Sequence, residues 1–434
     1  MTASALLSAR PRLRPEIRLG PPLVAGKAVV HHLKDPRTGW YFRVGVREFF
    51  VISRLDGERT VADIGAEYTH EFGKRLHDEH WQQIFGMLGG RRLLAGMDDP
   101  QVLAELAEAA RRGGRGGQNL LLYRRPLVNP DRLLGWLEPR LRFAFSPWFV
   151  IPAAAAILAM LAELALRWPA VYSDTRHGWG NGWILGVSIA IVWAGLAVHE
   201  TAHGLACKHF GGSANEIGVI WRFPILAPYC RADDVVLFWP RRHRVCTAFA
   251  GIFAGLVTAL PFAALWLIAP PGSAPRFLAA AVTLFSAAAA LLNLLPFLQL
   301  DGYFMLNHAL GMSNLRQESY RFIGRLVTGV FRRRNPAGGY RRWVRLTYLL
   351  YGGGSLLYGA VLAVRVSVTW YRPLRHGVGA TGAAVTLPAV AALFAAAAVL
   401  SMRRARRKQA ALPSAVAASG SGRPELQTNG GGAS

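Results

Sequence analysis

Long uncharged apolar runs, separated by arginine-rich segments, constrain this chain more than any other feature. Runs near 147–166, 183–205, 246–269, 277–299, 346–364 and 380–402 are each long enough to cross the hydrocarbon core of a bilayer as a helix. Charged residues make up only 17% of the 434 positions, against about 25% in a soluble domain. Those charges are lopsided, with 50 Lys and Arg to 25 Asp and Glu. A chain both apolar and basic must keep the two properties apart, and here they alternate along the sequence. This excludes a single soluble globule, a disordered chain and a disulfide-stapled secreted domain. The expected fold is mainly α: a polytopic membrane helical core of about six spans, preceded by a small α+β domain.

The basic residues give an independent test of that topology. With the N-terminal segment placed on the cytoplasmic side, only Arg167, Arg176, Arg276, Arg365, Arg372 and Arg375 fall on the opposite side or in the spans. That is the asymmetry of the positive-inside rule. Six spans also return the basic stretch Arg403-Arg404-Ala405-Arg406-Arg407-Lys408 to the same side. The expectation is a multi-pass protein of the cell's inner (plasma) membrane, with both termini cytoplasmic. The first thirty residues carry arginines but no apolar core, so a cleaved signal peptide is not expected. Three cysteines, with no Cys-x-x-Cys pair, point away from a disulfide framework or a cysteine-based zinc knuckle.

The sequence divides into five regions. Residues 1–24 read as a flexible N-terminus. Residues 25–97 read as a small domain of winged-helix character. In it a strand over 27–35 turns through Asp35-Pro36-Arg37-Thr38-Gly39 onto a second strand over 40–46. A helix starts near Arg47 with Phe49, Phe50, Ile52 and Leu55 on one face. Thr60 caps a second helix in capping-box form, and a third runs from His77 to Leu88. Residues 98–145 read as a linker and helices leading into the membrane, 146–402 as the transmembrane core, and 403–434 as a basic disordered tail.

The chemistry-bearing motif is His199-Glu200-Thr201-Ala202-His203, at the end of the second apolar run. On a helix, positions i and i+4 share a face, so both imidazoles can reach one ion while Glu200 reaches a water on it. Zinc suits imidazole nitrogen and brings the pKa of a bound water to about 7. Glu200 then serves as the base that accepts the water's proton. Three ionisable groups within five residues at membrane depth are costly unless they share a partner.

A zinc hydrolase needs a third protein ligand. Asp301 is favoured, because the run over 277–299 returns it to the side and depth of His203. Pro296 breaks that helix just before the carboxylate, and irregular backbone at such depth requires a protein or water-lined cavity. His209 stays open as an alternative, although Ala206 stands where the long soluble-protease motif has glycine. Asp233 and Asp234 also stay open, with ion pairing to Arg231, Arg241 or Arg242 as their competing role.

The combination of His-Glu-x-x-His in one run with Asn293-x-x-Pro296-x-x-x-Leu300-Asp301-Gly302 two runs later resembles the site-2 protease family of intramembrane zinc metallopeptidases. The resemblance is firm over roughly 183–305. It implies His199, His203 and Asp301 as ligands of Zn2+ and Glu200 as the catalytic base. It also implies substrate-binding roles for Asn293 and Pro296, with the substrate extended beside that segment. The stretches Gly218–Phe223, Pro228-Tyr229 and Arg241–Arg244 resemble the peptide zinc metalloprotease subgroup. Residues 47–64 resemble a PqqD-like peptide-recognition domain, which holds a leader peptide by strand addition.

The expected function is therefore a membrane-embedded zinc metalloendopeptidase that matures or helps export a ribosomally made peptide. Its partners would be a peptide or protein substrate, exporter subunits and the lipid bilayer. Two alternatives are a non-catalytic docking subunit of a peptide exporter and a protease releasing a membrane-bound regulator. Arg and Lys in the N-terminal region are matched by many acids, so no nucleic-acid partner is expected.

Overall fold

The computed structural model describes residues 6–97, 99–114, 122–222, 225–332 and 338–371, with a few positions between 372 and 379. Contacts divide the chain into two compact units. One gathers Met1–Ile17, Asp35–Ala107 and Ser355–Ser434, so far as these are described, and the other Arg18–Lys34 and Glu108–Gly354.

In chain order, strands β1 (Arg18–Leu19), β2 (Leu23–Ala25) and β3 (Ala28–Lys34) come first, with β3 antiparallel to both others. They belong to the second unit. Lys34 closes β3 with a buried ion pair, its Nζ 2.6 Å from Asp234 Oδ1. The other oxygen of Asp234 accepts from the backbone N–H and the hydroxyl of Ser213, each at 2.8 Å. The carboxylate is thus fully buried but fully partnered, as a buried charge requires.

The first unit continues with the turn after Asp35. The Asp35 carboxylate accepts from Thr38 Oγ1 at 2.9 Å and the Arg37 N–H at 3.0 Å, and Gly39 takes the positive φ of 74° that the turn demands. Arg14 reaches the same carboxylate at 2.5 Å. Strand β4 (Tyr41–Gly45) then leads into α1 (Val46–Ile52), α2 (Val61–Phe72), α3 (Asp78–Gly90) and α4 (Pro100–Gly114). Thr60 and Asp63 form the reciprocal capping box at the start of α2. The buried residues of and after α1 are Val51, Ile52 and Leu55, whereas Phe49 and Phe50 are half-buried. The apolar face expected from sequence is therefore rotated toward the helix end.

In the second unit β5 (Leu122–Val128) and α5 (Asp131–Leu141) precede a bundle of long helices. These are α6 (Pro147–Leu166), α8 (Gly182–His209), α9 (Arg241–Ile268) and α10 (Ala274–Leu294); of the later helix α13 (Arg342–Tyr371), the part to Gly354 belongs to this unit. These five are long and apolar enough to cross a membrane. They match the first five runs read from sequence; the sixth, 380–402, and the tail at 403–434 lie outside the described residues. Between α6 and α8 lies a further helix, α7 (Trp168–Trp179), outside the apolar runs read from sequence. Strands β6 (Glu216–Arg222) and β7 (Ile225–Arg231) follow α8 and pair with β5 in the antiparallel order β5-β6-β7. The shorter helices α11 (Asp301–Ala309) and α12 (Leu315–Arg332) lie between α10 and α13.

Small side chains allow the helices to approach closely. Ile157 and Met160 of α6, Ile252 and Leu256 of α9 and the alanines at 279, 280 and 287 of α10 form one buried cluster. A second cluster sets Tyr303 and Phe322 against Tyr348 and Tyr351.

Candidate metal centre

The site sits where α8, α9 and the start of α11 meet. His199 and His203 lie one turn apart near the C-terminal end of α8. Asp301 is the first residue of α11, delivered by the irregular segment 295–300 that follows α10. Asp301 Oδ2 is 2.9 Å from His199 Nε2, and Oδ1 is 3.3 Å from His203 Nε2. The two Nε2 atoms are 3.2 Å apart. In a tetrahedral zinc site with bonds of about 2.1 Å, neighbouring ligand atoms stand about 3.4 Å apart, so the donor set has the size of one ion.

The hydrogen bonding supports the same fit. His203 Nδ1 lies 2.8 Å from the carbonyl oxygen of Thr247, which can only accept. A neutral His203 therefore carries its proton on Nδ1 and turns the lone pair of Nε2 toward His199 and Asp301. Two imidazole nitrogens and a mostly buried carboxylate oxygen then converge, and Asp301 Oδ2 has no hydrogen-bond partner of good geometry. Such a cluster has the donor chemistry that could hold a shared cation.

Two glycines make the approach possible. A Cβ on Gly251 of α9 would stand 2.3 Å from His203 Nε2 and 2.7 Å from His199 Nε2. A Cβ on Gly302 would stand 2.2 Å from the carbonyl oxygen of Leu294. Both glycines are needed for close packing, not for unusual backbone angles. Gly204, next to His203, similarly leaves room for Leu134 of α5 and for the Cys230 sulfur, each 2.9 Å from where its Cβ would be.

Glu200, the residue after His199 in α8, faces β7. Its Oε2 accepts a 2.8 Å hydrogen bond from the backbone N–H of Cys230 in β7. The sheet therefore fixes the rotamer of this carboxylate one residue from His199 in the helix, and neither the sheet nor its contact with Glu200 is evident in the sequence. The helix ends two residues past Cys207: Gly211 adopts φ 84°, and the Gly212 N–H bonds the Cys207 carbonyl at 2.8 Å.

The other sequence candidates fall elsewhere. His209 Nδ1 is 2.8 Å from Glu138 Oε1, and its ring stacks on Phe145 at 4.3 Å. Asp233 pairs with Arg231, and Asp234 with Lys34 and Ser213. Among the described residues, the one group of three or more His, Cys, Asp or Glu placed to share an ion is His199, His203 and Asp301.

Asn293 lies in the last turn of α10, its Nδ2 donating to the Ala289 carbonyl at 3.0 Å. It lines a small cavity of about 30 Å³ together with His199, Gly255 and Ser286. Pro296 follows the helix end, and its carbonyl accepts a hydrogen bond from the Tyr351 hydroxyl at 3.1 Å. Gly251, Thr247 and Cys230 are the site residues that sequence reading missed. Only Gly251, a glycine inside an apolar helix, left any trace there.

Comparison with protein-family models, with curated proteins and with solved structures finds no match.

Proposed function

We propose that this protein is a membrane-embedded zinc metallopeptidase of the site-2 protease type. The observation that carries the reading is the convergence of His199, His203 and Asp301 within ligand-sharing distance, with Glu200 next to His199 in the helix. The five long apolar helices support a bilayer setting, and the distribution of basic residues supports cytoplasmic placement of the metal end.

The residues fit a zinc ion, which when bound would acidify a water and polarise an amide carbonyl. His203 is held in the ligating tautomer by Thr247. Glu200, fixed by the Cys230 N–H, takes a proton from the attacking water and returns it to the leaving amine. Asn293, beside His199 in the small cavity, is placed to hold the backbone of an extended substrate. The N-terminal unit would present the leader of a ribosomally made peptide, and the bundle would cut it in maturation or export.

The test is peptide hydrolysis by the purified full chain together with elemental analysis for zinc. The reading expects about one zinc per chain, lost in Asp301→Ala, and turnover abolished in Glu200→Gln with zinc retained. Function that survives Glu200→Gln in an exporter assay would instead identify a docking subunit.

A further inference from the structure

A second cavity lies at the other end of the bundle. It has a volume of about 340 Å³ and is bounded by Ala156, Met160 and Glu163 of α6, Val171 of α7, and Ala263 and Trp266 of α9, with α10 behind. On α9, Ala263 is twelve residues from Gly251, which places the cavity about 18 Å along the helix from the metal ligands.

Its lining makes few polar demands. The Thr283 hydroxyl, which reaches the wall, already donates to the Ala279 carbonyl at 2.8 Å. Trp266 directs its indole N–H away to Asp174 Oδ2 at 2.8 Å. The space exists because alanines occupy positions 156, 159, 263, 264 and 280, where larger side chains would fill it. It is not closed: Ala156, Ala159, Ala264 and Leu267 on its rim are exposed. An apolar cavity of this kind does not hold ordered water, which needs polar partners. Its size is at the low end of ligand sites and suits a single acyl chain.

The rim supplies the rest of the recognition. Glu163 borders the cavity, and Arg167, one turn on, stands with its Nε 2.7 Å from Glu163 Oε2. Both side chains are partly exposed, at 40% and 58%. A carboxylate and a guanidinium side by side complement an ammonium and a phosphate side by side. Trp168 and Tyr172, stacked at 6.0 Å and half exposed, extend the same rim with aromatics of the kind found at headgroup level.

We propose that this cavity holds one acyl chain of a zwitterionic phospholipid, with its phosphate at Arg167 and its ammonium at Glu163. The inference rests on the reading that the bundle spans a bilayer. An anionic headgroup would meet Glu163 without compensation, so the site discriminates by headgroup as well as by chain.

The experiment uses the full chain in vesicles of phosphatidylethanolamine and phosphatidylglycerol, with a diazirine in one acyl chain of either lipid. Flotation with the vesicles is checked first; a protein that does not float overturns the membrane reading and this inference together. For a protein that floats, mapped adducts should fall on the segments around Met160 and Ala263–Leu267. They should be several-fold stronger from the phosphatidylethanolamine probe. Ala263→Phe should remove them, and Ala159→Leu gives the same answer if the first variant does not fold. Arg167→Gln should erase the headgroup preference while chain adducts persist. Adducts absent from these segments, equal for the two probes, or unchanged when the cavity is filled would overturn the lipid site while leaving the peptidase reading intact.

Discussion

The Thr247 carbonyl oxygen lies 2.8 Å from His203 Nδ1, so a main-chain acceptor on one helix sets the tautomer of a neutral histidine on another. One turn further along α9, Gly251 faces both imidazoles. The helix that orients His203 is thus also the helix whose missing side chain leaves space between the candidate metal ligands.

Gly251→Ala is expected to damage the metal centre without unfolding the bundle. Its methyl would sit 2.3 Å from His203 Nε2, too close for both groups to keep their places. Zinc affinity should fall by about tenfold or more, in the range of other changes that misorient ligands. Metal titration of the purified variant checks this. Affinity equal to wild type would mean that His203 does not need its present position.

Glu200→Gln keeps the size of the side chain and can still accept from the Cys230 N–H. It removes the base, so hydrolysis should fall by about 10²–10⁴-fold while zinc content stays unchanged. Single-turnover assays on the zinc-loaded variant measure the drop. Full activity would remove Glu200 from the mechanism.

Lys34→Met strands a buried carboxylate. Asp234 is almost fully buried, and a second cation, Arg18, is 3.8 Å away. Removing one partner of a buried pair costs about 3–5 kcal/mol, and Arg18 should hold the loss to the lower end. The exposed pair of Arg321 with Glu318 is the control, because Arg321→Gln should cost under about 1 kcal/mol. Thermal unfolding in detergent compares the two. Coincident melts for Lys34→Met and wild type would show that the pair adds no net stability.

Acidification should destabilise the fold through His308. Burial, aided by the nearby charge of Arg244, pushes this imidazole down to about 4. The unfolded chain takes up a proton near its ordinary value of 6.5, which the fold refuses. Stability from this group is therefore full above 6.5 and declines as the pH falls toward 4. Between pH 7.5 and 5 the loss is about 2 kcal/mol. Melting temperatures at pH 7.5 and 5 should differ less in His308→Leu than in wild type. An identical pH dependence in the two proteins would exclude this histidine as a source.

Much of the architecture is local and was legible in the chain. The five described apolar helices follow from run length, since a long uncharged stretch satisfies its backbone only as a helix when little else can bond to it. His199 and His203 share a face by helical periodicity alone. The Thr60–Asp63 capping box is likewise a short-range feature.

Other parts depend on residues far apart in sequence. Sequence reading favoured Asp301 as the third candidate ligand, while His209, Asp233 and Asp234 remained open. Their separation came from packing: His209 is taken up by Glu138 and Phe145, and Asp234 by Lys34 and Ser213. The strand that fixes Glu200 and the helix gap at Gly251 left little or no signature, because a backbone N–H is present at every non-proline residue and any glycine lacks a Cβ. The sequence by itself determined which segments are helices and which side chains can bind a metal or move a proton. Tertiary structure alone decided which of those side chains meet, because that depends on the close approach of helices whose contacting atoms are mostly backbone and absent side chains.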